Sequence, residues 1–245
     1  KLALTCGEET TFAFNGANWL AQNKPDAVRA AFALNEGGGG RSDGHGKVVV
    51  QTMQVGEKAA QNYTLETTNP GGHSSRPVRE NAIYQLAQAL IKIRDHEFPA
   101  KMTETTRAYF AKSGAARSDE MGRAMVALSQ NPDDRDAEAI VSKDPSYHSM
   151  LRTTCVGTLI SGGHAENALP QRATANINCR IFPGETVEGT LKTLAEVIGD
   201  EGVKISANQP IRPLAVPPPL DPKVLGPAEK LVEQYFPGVP LVPAM

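Results

Sequence analysis

Glu8 and Glu9 stand side by side just after the apolar run LALT, and Glu36 follows a second apolar run, AFALN, ahead of a row of glycines. Carboxylate oxygens ligate borderline cations such as Zn²⁺, and a further acid beside them can serve as general base toward a metal-bound water. In parallel α/β sheets ligands gather beyond the carboxyl ends of strands, which is where these acids fall. From spacing alone the plainer reading holds, that of solvated acids in loops, because titratable clusters mark sites only on average. His73 offers a different chemistry. It lies in NPGGHSSRP, between an alternating run and an amphipathic one. Gly71 and Gly72 permit close backbone approach there. Read from its neighbours alone, the histidine helps to cap a following helix whose first turn contains Pro77. Arg180 ends a polar strand face; its planar fork suits a carboxylate, and suits a surface ion pair equally well.

These residues need elements to hold them. LALT reads as a short buried strand, TTFAFNGANWLAQN as a helix and AFALN as a second strand, the rhythm of a parallel α/β sheet. KVVVQTMQVGEK continues as a strand pair or hairpin edge. From about Glu57 the pattern changes. AAQNYTLETT alternates, and RENAIYQLAQALIKIRD places Ile83, Leu86, Leu90 and Ile93 on one helical face. Residues 97–148 are charged, Ala-rich and helical in character, an insertion. LRTTCVGTLISGG and QRATANINCRIF then read as strands, TVEGTLKTLAEVIGD as a helix and VKISAN as a last strand. The order β-α-β-β-α-β is the split βαβ plan of a ferredoxin-like domain. In its cleanest strand Ala173, Ala175, Ile177, Cys179 and Ile181 face one way, and Arg172, Thr174, Asn176, Asn178 and Arg180 the other. After residue 208 the Pro-rich QPIRPLAVPPPLDP is a stiff connector, and KVLGPAEKLVEQYF begins a new helix.

Composition removes several function classes. The chain of 245 residues carries a formal charge of -2, and no Lys/Arg cluster marks a nucleic-acid surface. It has no run of about 18 apolar residues, so no membrane span is expected. The three cysteines, odd in number and without CxxC spacing, give neither a disulfide framework nor a thiolate zinc site. Both ends read as cut, so the chain is expected to be a fragment, and its compartment stays open.

LALTCGEET, NEGGGG, NPGGHSSRP, SGGHAENALPQRATANINCRIFPGET and the Pro-rich return, in that order, resemble the dinuclear-zinc metallopeptidase family 20. That family holds aminoacylases, succinyl-diaminopimelate desuccinylase, acetylornithine deacetylase and glutamate carboxypeptidases. The resemblance implies a partial catalytic α/β domain over residues 1–56, an inserted ferredoxin-like lid and dimerisation domain over 57–208, and a return into the catalytic domain over 209–245. It implies Glu8 as general base, Glu9 as a ligand of one zinc and Glu36 as a ligand of the other. His73 matches a lid histidine that reaches into the partner subunit's site to stabilise the oxyanion. Asn167 and Arg180 match positions that contact the substrate carboxylate or the tetrahedral intermediate. The implied reaction is hydrolysis of a peptide or N-acyl amino acid substrate by a homodimer with two Zn²⁺ per subunit. The family's remaining His, Asp and His ligands have no counterpart in the sequence. The zinc site is therefore expected to be incomplete, and this polypeptide inactive by itself. A non-catalytic dimerisation or binding module is the competing expectation.

Overall fold

An apolar run becomes a strand only where another strand supplies its ladder. The computed structural model describes residues 1–7, 14–35, 37–216 and 219–245, arranged as two units, Lys1–Gly37 and Gly38–Met245. In the first, helix α1 (Gly16–Asn23) is capped by Asn15, whose side chain accepts from the Asn18 amide, and α2 (Pro25–Val28) begins on a proline. Neither expected strand forms. Leu2, Leu4, Phe32 and Leu34 are exposed, and no ladder partner for them exists among the described residues.

The second unit opens with β1 (Gly39–Ser42) and β2 (Val48–Gln54), an antiparallel pair. Next come β3 (Ala59–Thr68), the two-residue β4 (Gly72–His73) and α3 (Ala82–Asp95). Four helices follow: α4 (Glu104–Ala115), α5 (Glu120–Gln130), α6 (Arg135–Val141) and α7 (Pro145–Leu151). The chain then returns through β5 (Thr154–Gly162), β6 (Ala168–Leu169), β7 (Arg172–Ile181), α8 (Val187–Ile198) and β8 (Val203–Ala207). It ends with α9 (Pro222–Tyr235) and β9 (Leu241–Ala244). β9 pairs in parallel with β2, so the parallel pairing involves neither of the two runs from which a parallel sheet was expected.

Four strands form one antiparallel sheet in the order β5-β7-β3-β8, which is the order a split βαβ chain produces. The alternation of β3 and β7 decides its two faces. Tyr63, Leu65, Ala175, Ile177 and Ile181 are buried together with Leu86 and Ile93 of α3 and Leu194 and Ile198 of α8. Each large apolar side chain so covered contributes about 1.5–3 kcal/mol. The Tyr63 hydroxyl, buried with them, donates to the Val187 carbonyl at 3.0 Å. The opposite face is polar: the Asn62 side-chain Oδ1 accepts from the side-chain amides of Asn176 at 3.1 Å and Asn178 at 2.9 Å.

Two sequence expectations change at this level. The buried stripe of α3 is Ala82, Leu86, Ala89 and Ile93, with Leu90 partly covered, while Ile83 lies one step too far round and is exposed. Cys155 and Cys179 are disulfide-bonded, because β5 and β7 pair in a register that sets them directly opposite one another. Counting cysteines and looking for CxxC motifs does not detect a pair set by the register of two strands.

The four inserted helices build a second core around Phe110, Met125, Leu128, Val141 and Leu151. Their starts are capped by Thr103, Asp119, Asp134 and Asp144, each accepting from a backbone amide of the first turn. Beneath them Arg152, with 2% side-chain exposure, pairs with Glu138 at 2.6 Å and with Glu97. Lys112 on α4 donates to the Leu241 carbonyl of β9 at 3.0 Å, tying the insertion to the three-stranded sheet β1-β2-β9.

Candidate functional site

The His73 loop is built by its glycines. Gly71 has φ +83°, where side chains are disfavoured, and a Cβ there would come within 2.7 Å of the Gln171 side chain. Asn69 fixes the entry, its side chain accepting from the Gly71 amide at 3.0 Å and donating to the Glu80 carbonyl at 3.2 Å. The loop then pairs β4 with β6, His73 opposite Ala168, and the Ser74 amide donates to the Asn167 carbonyl at 2.9 Å. His73 and Asn167 thus share one small structure, both exposed. The capping alternative for His73 fails, since α3 starts at Ala82 and its cap is Asn81, which accepts from the Tyr84 amide.

Arg180 is not part of that group. β4 and β6 adjoin the Arg172 end of β7, through the Asn69 amide bonded to the Gln171 carbonyl, whereas Arg180 lies eight residues further along the strand. At about 3.3 Å per residue this separates it from that end by roughly 26 Å. It is exposed, at the end where Lys58 sits. The Lys58 ammonium donates to the Ser149 and Arg152 carbonyls at 2.9 and 2.8 Å and to the Thr154 hydroxyl at 3.1 Å. Burial, and next the positive charge of Arg180, lower its pKa to about 8, against an opposing pull from Glu185.

Glu8, Glu9 and Glu36 lie outside the described residues. Among the described residues, no group of three or more His, Cys, Asp or Glu is placed to hold a metal ion. Sequence reasoning passed over Ser75, Lys58, Arg152 and the cysteine pair. For the cysteines a signal existed: Cys155 and Cys179 are equidistant from Asn167, the middle of the hairpin joining the two expected strands. Arg152 and Lys58 carried no such mark, as their burial depends on the inserted helices.

A family model described as a peptidase dimerisation domain, the M20 dimerisation family, matches residues 55–206, a stretch that includes α3, α8, the inserted helices and all of the four-stranded sheet but the last residue of β8. The chain belongs to this family. Similar proteins include a probable carboxypeptidase S-like 2 of Dictyostelium discoideum, 30% identical over 80% of this chain and 37% of its own. Another is the human N-fatty-acyl-amino acid synthase/hydrolase PM20D1, 28% identical over 86% of this chain and 43% of its own. The chain therefore spans less than half the length of these relatives. In backbone it resembles the crystal structure of an M20 family metallo-carboxypeptidase from Sulfolobus solfataricus, with TM-score 0.60 and 16% identity, covering 92% of this chain and 60% of that one. That likeness supports the mixed α/β fold.

Proposed function

We propose that this chain forms part of a zinc-dependent hydrolase that cleaves a peptide or N-acyl amide bond in a substrate bearing a free carboxylate. The observation that carries the reading is the backbone tie between the His73 loop and Asn167, which brings these two residues together on an exposed rim of a dimerisation-family domain. The named activities of the carboxypeptidase and acyl-amino-acid hydrolase relatives agree with it.

In this reading His73 donates a hydrogen bond to the oxyanion, and Asn167 and Arg180 hold the substrate carboxylate or the tetrahedral intermediate. Glu8 accepts the proton of the attacking water and returns it to the leaving amine. Glu9 and Glu36 each offer the carboxylate oxygen that zinc accepts, and each would be a ligand of one ion. When bound, zinc supplies an acidified water and a polarised carbonyl.

The separation of Arg180 from the His73 and Asn167 group supports a composite site. One small substrate does not span roughly 26 Å, about eight residues of strand, so the two groups would serve different sites within a subunit and meet across a homodimer. The edge strand β5 offers the surface for that dimer, with Val156, Leu159 and Ile160 exposed beside Ile83 and Tyr84 of α3. The same surface also favours the second reading, a dimerisation module without catalysis.

The protein extended to the length of its relatives, assayed on N-acyl amino acids and dipeptides with and without chelator, separates the two. Chelator-sensitive hydrolysis supports the enzyme, and no hydrolysis across the panel sinks it. Glu8→Ala should abolish turnover while zinc stays bound. Mixing His73→Ala subunits with Glu8→Ala subunits should restore activity, since mixed dimers then hold one intact composite site; no recovery would confine His73 to its own subunit.

A further inference from the structure

We infer that Ser75 is a positioning residue that holds the His73 ring in the tautomer with its proton on Nε2. Two contacts fix Nδ1. The Ser75 backbone amide lies 3.2 Å from it and the Ser75 hydroxyl 2.8 Å from it. A backbone N–H can only donate, so Nδ1 must present its lone pair, and in a neutral imidazole the proton then sits on Nε2. The hydroxyl, free to rotate, donates as well, and at 2.8 Å it is the closer of the two contacts. The turn that places Ser75 is itself fixed: the His73 carbonyl accepts from the Arg76 amide at 3.0 Å, and the Ser74 amide is bound to Asn167.

Nε2 makes no hydrogen bond within the described residues, and the side chain is exposed, so this N–H is free for an incoming acceptor. An oxyanion needs a donor already aimed at it. A ring with the proton on Nδ1 would offer it a lone pair instead. That the Nε2 proton meets an oxyanion rests on the hydrolase reading; the tautomer does not.

Nitrogen-15 NMR of this chain with labelled histidine, at about pH 9 where an ordinary histidine is neutral, tests the tautomer without any turnover. His73→Gln identifies the signal. The expected spectrum has a protonated Nε2 and an unprotonated Nδ1, with a coupling across the hydrogen bond from the Ser75 amide to Nδ1. Ser75→Ala keeps that amide and should keep the tautomer, because the hydroxyl can donate to or accept from Nδ1 and so orients the ring without choosing its proton. In the extended, hydrolysing protein Ser75→Ala should lower kcat about tenfold with KM little changed, as for other residues that orient a working imidazole, and Ser75→Thr, which keeps the hydroxyl, should restore it. A proton on Nδ1 in the wild type, or no coupling from the Ser75 amide, overturns the inference. If the tautomer is as expected and no substrate is hydrolysed, the positioning stands and the hydrolase reading falls.

Discussion

Ser74 and Asn167, far apart in sequence, are joined by one backbone hydrogen bond of 2.9 Å, and through it the histidine loop and the loop before β6 act as one piece. The piece depends on Gly71. Gly71→Ala places a side chain at φ +83° and against Gln171, and should cost about 1–3 kcal/mol. Urea denaturation reads the loss, and faster hydrogen exchange at the Ser74 amide would locate it in this loop. An unchanged Ser74 amide would show that the loop is held by other means.

The apolar edge of β5 should be the dimer contact. Leu159 is 70% and Ile160 67% exposed, on a strand with one free side. Replacing either with lysine should move the protein from dimer to monomer in sedimentation equilibrium, with little change in monomer stability, because neither side chain belongs to the core. A dimer that survives both changes uses another surface.

Arg152 should be among the residues least tolerant of truncation in the inserted helices. Its guanidinium is buried between Glu138 and Glu97 and crosses from α7 to α6. Arg152→Ala removes the buried one of the two arginines that pair with Glu138, the exposed Arg135 remaining at 2.7 Å, and should cost about 3 kcal/mol, the low end for a broken buried pair. A double-mutant cycle with Glu138→Ala, followed by urea denaturation, should return a coupling energy well above the level of an exposed pair.

Lys58 should make stability rise with pH. Its folded pKa of about 8 lies below the ordinary 10.5, so beneath pH 8 both states hold the proton. Between about pH 8 and 10 the unfolded chain still binds the proton that the folded chain has released, and stability increases through that window. Above it Tyr63 acts the other way, since burial pushes its phenol up to about 12 and the unfolded chain loses that proton first. The difference between wild type and Lys58→Met, followed by urea titration across this range, should show the rise only in the wild type.

Reducing the Cys155–Cys179 bond should destabilise the four-stranded sheet by about 2–4 kcal/mol, the effect of releasing a loop of this size, 24 residues in separation. Cys155→Ser with Cys179→Ser should reproduce the loss, and reductant should then have no further effect on the melting temperature. A reductant effect that persists in the double variant would point elsewhere.

Much of the fold was legible because alternation leaves little choice: β7 must turn Ile177 and Ile181 inward and Asn176 and Asn178 outward, and the structure does so. The helical content of residues 97–148 could be read from composition, but its packing could not. Leu2 and Leu4 misled for a physical reason, since an apolar run carries no information about whether a partner strand is at hand. The tie of His73 to Asn167 and the distance to Arg180 were likewise invisible, because both follow from strand register.

The inserted helices hold the four-stranded sheet through Lys58 and the three-stranded sheet through Lys112. The chain itself already passes between these sheets after β2 and again before α9. With this third attachment the two sheets resemble a door hung with a brace as well as hinges: swinging one against the other would have to strain or release the Lys112 contact.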